Sequence, residues 1–574
     1  MFAVERLLRR LRDRDALPRQ LLAAAATGLL LALAAPGVLG PAPFALLAWV
    51  AFVPLLLHVP RVAPGRAALL AWSAGMVLFL VAWSWYPGLL ARFSGLSPVA
   101  AVALTLVLGA YQALGWAAWA VVVRVAAPAL PVALIAPAAF VVVERYQPTI
   151  FPFSLGITQY RFPLVAQVAE LGGPCVLAFL FVLVAATAAE ALAARRAGRS
   201  RPIATLAAAA GLLVAALAFG AIRLAEVRRA RDGAPSLRLA VLQAGFPRTG
   251  WTPPPPDPGR LARYQRLTAS VEREAGPVDL AIWPEKAYPF PLRADARHDD
   301  RSRPERRIRR GFAGPLLFGA DTVDPRTRRA GNSAALLLPD DTLRVVYDKV
   351  RLIFWSERLP EWLERLAGGA RRYRSGARLD PLRLAFPDPR RPDRLRRVAL
   401  GTFICFEATF PEHVRAIVAR GANLLVNLSD DSWFGDTAEP EQHLAQAVFR
   451  SIESRRDLVR AAGSGVSAFV TAAGEIERRA DVPRTADGDG ATLVGDAHLV
   501  ELRGWYADLG DAFAGWCGLV VAAGAGLGLR RRRSAPRGPS ASTASPRAGA
   551  GGDRPTRRAR TPAAGAPRLP APGR

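Results

Sequence analysis

The chain has 574 residues, 51% of them hydrophobic, and a formal net charge of +28. It is too long for one ordinary core, and its positive mean hydropathy points away from a plain soluble enzyme, toward a membrane protein carrying a sizeable polar domain. The charge would suit nucleic acid in a soluble protein. Here it sits largely in short basic clusters beside apolar segments and in a C-terminal tail, as positive-inside anchoring requires, so no nucleic-acid partner is expected.

In chain order, RLLRRLRDRDALPR reads as a basic cytoplasmic anchor. No small-residue cleavage site follows the first apolar run, which is therefore read as a retained span. Apolar runs follow at Leu21–Leu39, Ala42–Val59, Ala67–Tyr86, Pro98–Val123, Ala129–Val143, Leu171–Leu192 and Ile203–Ile222, and a last one at Ala512–Leu529. Each is near the roughly 20 residues that cross a bilayer, the second and fifth being short and proline-containing. About eight spans are thus predicted. Arg61, Arg66, Arg124, the Arg195–Arg201 cluster and Arg530–Arg533 fall on the inner side, while Arg228, Arg229 and Arg231 break the pattern. Four regions result: a membrane domain at 1–224, a domain outside the cytoplasm at 225–508, a final span at 509–530, and a disordered Arg/Pro/Ala-rich tail at 531–574. Between spans five and six, Glu144–Phe162 is too polar to cross and reads equally as an interfacial loop or as a connection packed on the bundle.

From Ser236 the pattern becomes short β-rich runs separated by helical stretches. Leu237–Gln243, VDLAIWPE, PLLFGADTV, NSAALLLP, LRVVYDK, VALGTFICFE, ANLLVNLSD, VSAFVTAAG and TLVGDAHL read as strands. Gly259–Gly276 and Glu441–Arg456 read as helices. This alternation predicts an α/β domain. The arginine-dense stretches Arg293–Arg310 and Asp388–Arg397 read as solvated faces, with contact to anionic head groups as the sharper alternative.

Three strand ends carry reactive groups: Glu285 after IWP, Lys349 in YDK and Cys405 in ICFE. Cys175 and Cys517 lie in apolar runs, so Cys405 is the single thiol of the polar domain and no disulfide can form there. Lys286 and Lys349 are the only lysines in a chain whose other basic side chains are arginine and histidine. A compact ammonium is the cation that arginine cannot replace beside a reacting centre. A neutral thiol needs a base, which a shielded carboxylate can supply. An ammonium together with the backbone N–H after Cys405 can hold an oxyanion. The histidines His58, His298, His413, His443 and His498 show no ligand spacing, so no metal is expected.

WPE, YDK and ICFE in that order resemble the carbon–nitrogen hydrolase (nitrilase) superfamily, and the spans around them resemble its membrane branch, the apolipoprotein N-acyltransferases. PAPFALLAWVAFVPLLL, FPFSLGITQ and NLSDDSWFG (Asn427–Gly435) resemble that family as well. The resemblance implies an α–β–β–α sandwich beside the bundle, in a bacterial inner membrane, with the catalytic domain facing the periplasm. It implies Glu285 as general base, Lys349 as oxyanion stabiliser and Cys405 as nucleophile. Glu357, Phe406 and Glu407 would support them, with Trp251, Trp355 and Trp433 on loops near the substrates. The implied reaction moves an acyl chain from a phospholipid, through a cysteine thioester, to the amine of an apolipoprotein's diacylglyceryl-cysteine. The resemblance implies no organic cofactor. Lys286 after WPE, the VRLIFWSE loop after Lys349, and Phe406 where tyrosine is common depart from the family pattern. A membrane-tethered amidase and a silent scaffold retaining the fold are the rivals at this stage.

Overall fold

Strand periodicity places the core of the polar domain. In β1 (Ser236–Gln243), Leu237, Leu239 and Val241 belong to one buried cluster and Ala240 and Leu242 to another, as opposite faces of a strand require. The first cluster is shared with Val398, Leu400 and Ile404 of β8 (Arg391–Ile404) and with Val426 and Leu428 of β9 (Leu424–Ser429), so two sheets face each other. The second cluster takes in Leu261, Tyr264 and Val271 of the helix Pro258–Glu274, which covers one outer face. On the other outer face, Phe403 and Leu425 pack with Val414 and Ile417 of the helix Pro411–Val418 and with Leu444, Val448 and Ile452 of the helix Glu439–Ser454. This is the expected α–β–β–α sandwich.

The computed structural model describes residues 2–40, 42–94, 96–200, 202–246, 257–353, 357–358, 373–389, 391–482 and 490–534. Trp251, Trp355 and nearly all of the predicted tail lie outside these described residues. The remaining strands are β2 (Leu280–Ile282), β3 (Tyr288–Arg293), β4 (Leu316–Val323), β5 (Ala330–Leu337), β6 (Leu343–Asp348), β7 (Leu382–Asp388), β10 (Leu458–Ala462), β11 (Gly465–Val470), β12 (Ile476–Val482) and β13 (Ala491–His498). One sheet runs β13-β1-β2-β4-β5-β6 with β3 against β4, and the other runs β12-β11-β10-β9-β8-β7. β1, β2 and β4 are parallel, as are β8, β9 and β10. The carboxyl ends of parallel strands share an edge, and that edge is where ligands gather in α/β folds.

Both arginine-dense stretches are mostly exposed, as solvated faces require, though each also carries structure that composition did not show. The arginine-rich stretch Asp388–Arg397 is a hairpin, because β8 begins at Arg391 and pairs with β7. Leu382, Leu384 and Phe386 face inward while the intervening residues stay exposed, the period-two pattern of an edge strand. Within Arg293–Arg310, Arg309 is no solvated charge: it is part-buried, bonds Asp341 at 2.7 Å and donates to the carbonyls of Ala313, Gly314 and Leu338.

Among the described residues, seven segments are long and apolar enough to cross a membrane, including Cys175–Arg196, Ile203–Asp232 and Ala512–Arg531. The fifth predicted run instead gives a 15-residue helix, Val132–Tyr146, with Pro137 inside it. At 1.5 Å per residue it reaches only about 22 Å, short of a hydrocarbon core of about 30 Å. The second run is broken into 3₁₀, α and 3₁₀ pieces, with Pro54 and Pro60 at starts of the later two.

The bundle grips the helix Glu439–Ser454 and the turn that follows it. Gln442 donates to the carbonyl of Ala82 at 2.9 Å and accepts from the Trp85 indole at 3.3 Å. Buried Glu170 takes Arg455 at 2.5 Å and Arg223 at 2.6 Å, joining the sandwich to the last span before it.

Candidate active site

β8 ends at Ile404, and Cys405 turns sharply with φ of +52°, in the left-handed region that residues other than glycine rarely adopt. A short 3₁₀ helix, Cys405–Thr409, follows at once. This turn lifts the thiol off the strand line at the sheet edge. The other two groups arrive at the same edge, Glu285 three residues past β2 and Lys349 directly past β6.

Lys349 is fully buried, with Nζ 3.1 Å from Glu357 Oε1 and 3.4 Å from Glu285 Oε1. Asn332 on β5 crosses the same pair, its Nδ2 donating to Glu285 at 2.6 Å and to Glu357 at 3.0 Å. The Asn332 carbonyl also accepts the Lys349 backbone N–H at 2.8 Å. Burial works against the ammonium, but Glu357 and Glu285 outweigh it and hold its pKa above the ordinary lysine range. Glu357 is correspondingly lowered: burial opposes its charge, and Lys349, then Lys286, override that. It also accepts the Ile353 N–H at 3.0 Å. Glu285 Oε2, by contrast, is buried without a hydrogen-bond partner among the described residues. That oxygen is left for a proton.

Burial pushes the Cys405 thiol well up, and the Glu285 carboxylate pushes it further, while Lys349 pulls it down. Both the Glu285 carboxylate and the Lys349 ammonium thus act electrostatically on one sulfur.

Glu407 does not face the reacting groups. Its Oε2 accepts the Ile404 N–H and the Tyr347 hydroxyl, both at 2.7 Å, and its Oε1 accepts the N–H groups of Val350 and Arg351 at 2.7 and 2.9 Å. It therefore stitches the cysteine turn to the loop after the lysine. Burial opposes its charge, yet His413 and these donors hold its pKa down. Glu407→Gln should be far from conservative, since its amide N–H₂ must confront backbone donors. A loss of about 2–3 kcal/mol in chemical unfolding and slower modification of Cys405 are expected.

Phe406 packs edge-on against Phe410 and against Phe151 of the Glu144–Phe162 connection, at centroid distances of 4.9 and 5.5 Å. That connection also bonds within itself, with Glu144 accepting from Ser154 and Leu155. It packs on both the bundle and the nucleophile turn. Trp433 sits part-buried beside Phe79, Trp85, Tyr86 and Phe434, where the bundle meets the sandwich. Lys286 also has positive φ, but its Nζ turns to the Tyr373 hydroxyl at 2.9 Å and to Asp321 at 3.2 Å.

Sequence reasoning missed Asn332 and a buried set behind the nucleophile: Asp431, His443 and Arg460. Asn332 was visible only as a polar residue opening an apolar strand. Arg460, within LVRAA, was an equally anomalous charge. Asp431, Glu439 and His443 cluster closely enough to hold a metal ion. The Arg460 guanidinium already grips Asp431, at 2.8 Å to Oδ2, so these groups are arranged around an arginine and not around a metal ion.

The fold and these groups define a carbon–nitrogen hydrolase-like domain joined to a membrane bundle. A family model described as carbon–nitrogen hydrolase matches residues 316–506, and one described as the apolipoprotein N-acyltransferase N-terminal domain matches 27–187. The apolipoprotein N-acyltransferase of Geobacter metallireducens is 31% identical, over 91% of this chain and 98% of its own length. That of Gloeobacter violaceus is 32% identical over 89% and 94%. A solved amidase of the nitrilase superfamily from Nesterenkonia AN1 aligns with 49% of this chain and 96% of its own at 22% identity, with a TM-score of 0.33, too low to carry weight. The chain belongs to the apolipoprotein N-acyltransferase family. It is a membrane acyltransferase, and membership favours that over the amidase and scaffold readings.

Proposed function

We propose that the chain takes a fatty acyl group from a membrane phospholipid onto Cys405 and passes it to the N-terminal diacylglyceryl-cysteine amine of an apolipoprotein. The carrying observation is the buried Lys349–Glu285 pair, 3.4 Å apart, whose two charges both act on the single thiol of the sandwich. Glu285 accepts the thiol proton as sulfur attacks the ester carbonyl. The tetrahedral oxyanion is held by Lys349 and the Phe406 N–H. The C–O bond breaks, and Glu285 returns the proton to the departing lysophospholipid oxygen. In the second half the amine attacks the thioester, Glu285 takes its proton, and the C–S bond breaks to restore the thiol. Glu357 keeps Lys349 in place, and Glu407 keeps the turn.

In this reading the sandwich faces the periplasm from a bacterial inner membrane, within the boundaries 225–508. The Arg195–Arg201 cluster joins two spans, and the Arg530–Arg533 run follows the last. Both belong inside by the charge rule, which leaves the segment between Ile203–Asp232 and Ala512–Ser534 outside. Trp433 and the Phe151 connection border the lipid side.

Purified protein given labelled phosphatidylethanolamine should accumulate an acyl group that neutral hydroxylamine releases. Cys405→Ala should accumulate none. Label persisting on that variant would remove Cys405 as nucleophile.

A further inference from the structure

Behind the nucleophile, His443 Nε2 lies 3.0 Å from the carbonyl oxygen of Cys405. A carbonyl can only accept, so Nε2 carries the proton. Nδ1 faces Asp431 Oδ1 and Arg460 Nη2, each at 3.0 Å, with Glu439 Oε1 further off at 3.8 Å. Arg460 is itself fixed. It is wholly buried, spans both oxygens of Asp431 and donates to Ser429 Oγ at 3.1 Å and the Val466 carbonyl at 3.2 Å. The imidazole is thus held by Asp431, in the turn after β9, and by Arg460 of β10, which Ser429 of β9 and Val466 of β11 fix in turn. The neighbouring Gln442 pins that helix to the bundle.

The bonded carbonyl belongs to the peptide between Cys405 and Phe406. A peptide is planar, and its C=O and N–H point in opposite directions. Fixing the oxygen at one edge therefore fixes the N–H of Phe406 at the other. With Cys405 in a left-handed conformation, this peptide is one that could otherwise rotate to a relaxed orientation.

We propose that His443 is a positioning residue for the oxyanion hole: by holding the Cys405 carbonyl it aims the Phe406 N–H at the oxygen that becomes charged during acyl transfer. This rests on the thioester reading above. It predicts that His443 matters for attack on a carbonyl and not for the reactivity of the sulfur as such.

Two reactions of the same thiol separate these effects in the full-length protein in detergent micelles. One is single-turnover thioester formation from labelled phosphatidylethanolamine. The other is alkylation of Cys405 by iodoacetamide, followed on the Cys405 peptide by mass spectrometry, a displacement at saturated carbon that builds no oxyanion. His443→Leu should slow acylation by about 10²–10³-fold, the range for a lost oxyanion donor, and leave alkylation within about threefold. His443→Gln, whose amide N–H₂ reaches where Nε2 stood, should recover most of the acylation rate, and His443→Asn, too short to reach, should not. Should the leucine variant fail to fold, the Gln/Asn contrast carries the same test. Parallel loss of both reactions, unchanged acylation in His443→Leu, or glutamine no better than asparagine would overturn the proposal. A wild-type chain that forms no thioester would overturn it together with the reading beneath it.

Discussion

Lys349→Met should abolish acyl transfer and also destabilise the domain by about 3–5 kcal/mol, the usual cost of removing one partner from a buried charge cluster. Lys349 is fully buried between Glu285 and Glu357, and the Asn332 amide cannot neutralise either carboxylate. Without the ammonium two acids share one dry site, and one of them must bind a proton to relieve the repulsion. A carboxyl whose folded-state pKa is raised favours folding at low pH and loses that contribution as pH rises through its folded value. The stability deficit of the variant should therefore shrink toward pH 5 and widen toward pH 8, as urea unfolding would show. Alkylation of Cys405 should slow at fixed pH, because Lys349 is the charge that lowers the thiol pKa. Lys349→Arg should restore part of the stability and little activity, since a planar guanidinium cannot occupy the ammonium's position between the two Oε1 atoms. A methionine variant that melts with the wild type at every pH would contradict this account.

The second large effect carries opposite signs in two assays. Glu285→Gln should lower acyl transfer by about 10²–10⁴-fold, the range for a lost general base. The same change should preserve or raise the rate of iodoacetamide alkylation below pH 8. The Glu285 carboxylate is, after burial, the largest influence raising the Cys405 thiol pKa. Removing it lowers that pKa and increases the thiolate fraction at a given pH. In the wild type, alkylation should keep climbing with pH beyond the ordinary thiol range. In Glu285→Gln the profile should shift to lower pH. A variant that loses both reactions together would mean that Glu285 serves to ionise the resting thiol. Geometry argues otherwise: its free Oε2 is suited to receive a proton during attack.

These expectations separate what local sequence carries from what packing supplies. β1, β4 and β9 were legible because each alternates or runs apolar between turn signals. β3, β7, β10 and β12 were not, because YPFPLR, LRLAFPD, LVRAA and IERRADV mix charge or proline into strands that only sheet neighbours justify. The fifth apolar run was readable as apolar and folds as the 15-residue helix Val132–Tyr146. Glu285, Lys349 and Cys405 were visible as reactive residues at strand ends. Glu357 came only through resemblance, and Asn332 and His443 came through neither.

The sequence by itself determined the chemistry available: one thiol in the polar domain, two lysines in an arginine chain, and an acid after a strand, with apolar runs on either side. Tertiary structure alone decided that strand ends from two different sheets come to one side of the sandwich, that Glu407 braces the turn while Glu285 keeps an oxygen free, and that an imidazole stands behind the Cys405 carbonyl. The reason is physical. Identity and period are local properties of a chain, whereas the direction of a buried hydrogen bond depends on groups tens of residues apart that only a packed core can bring to 3 Å.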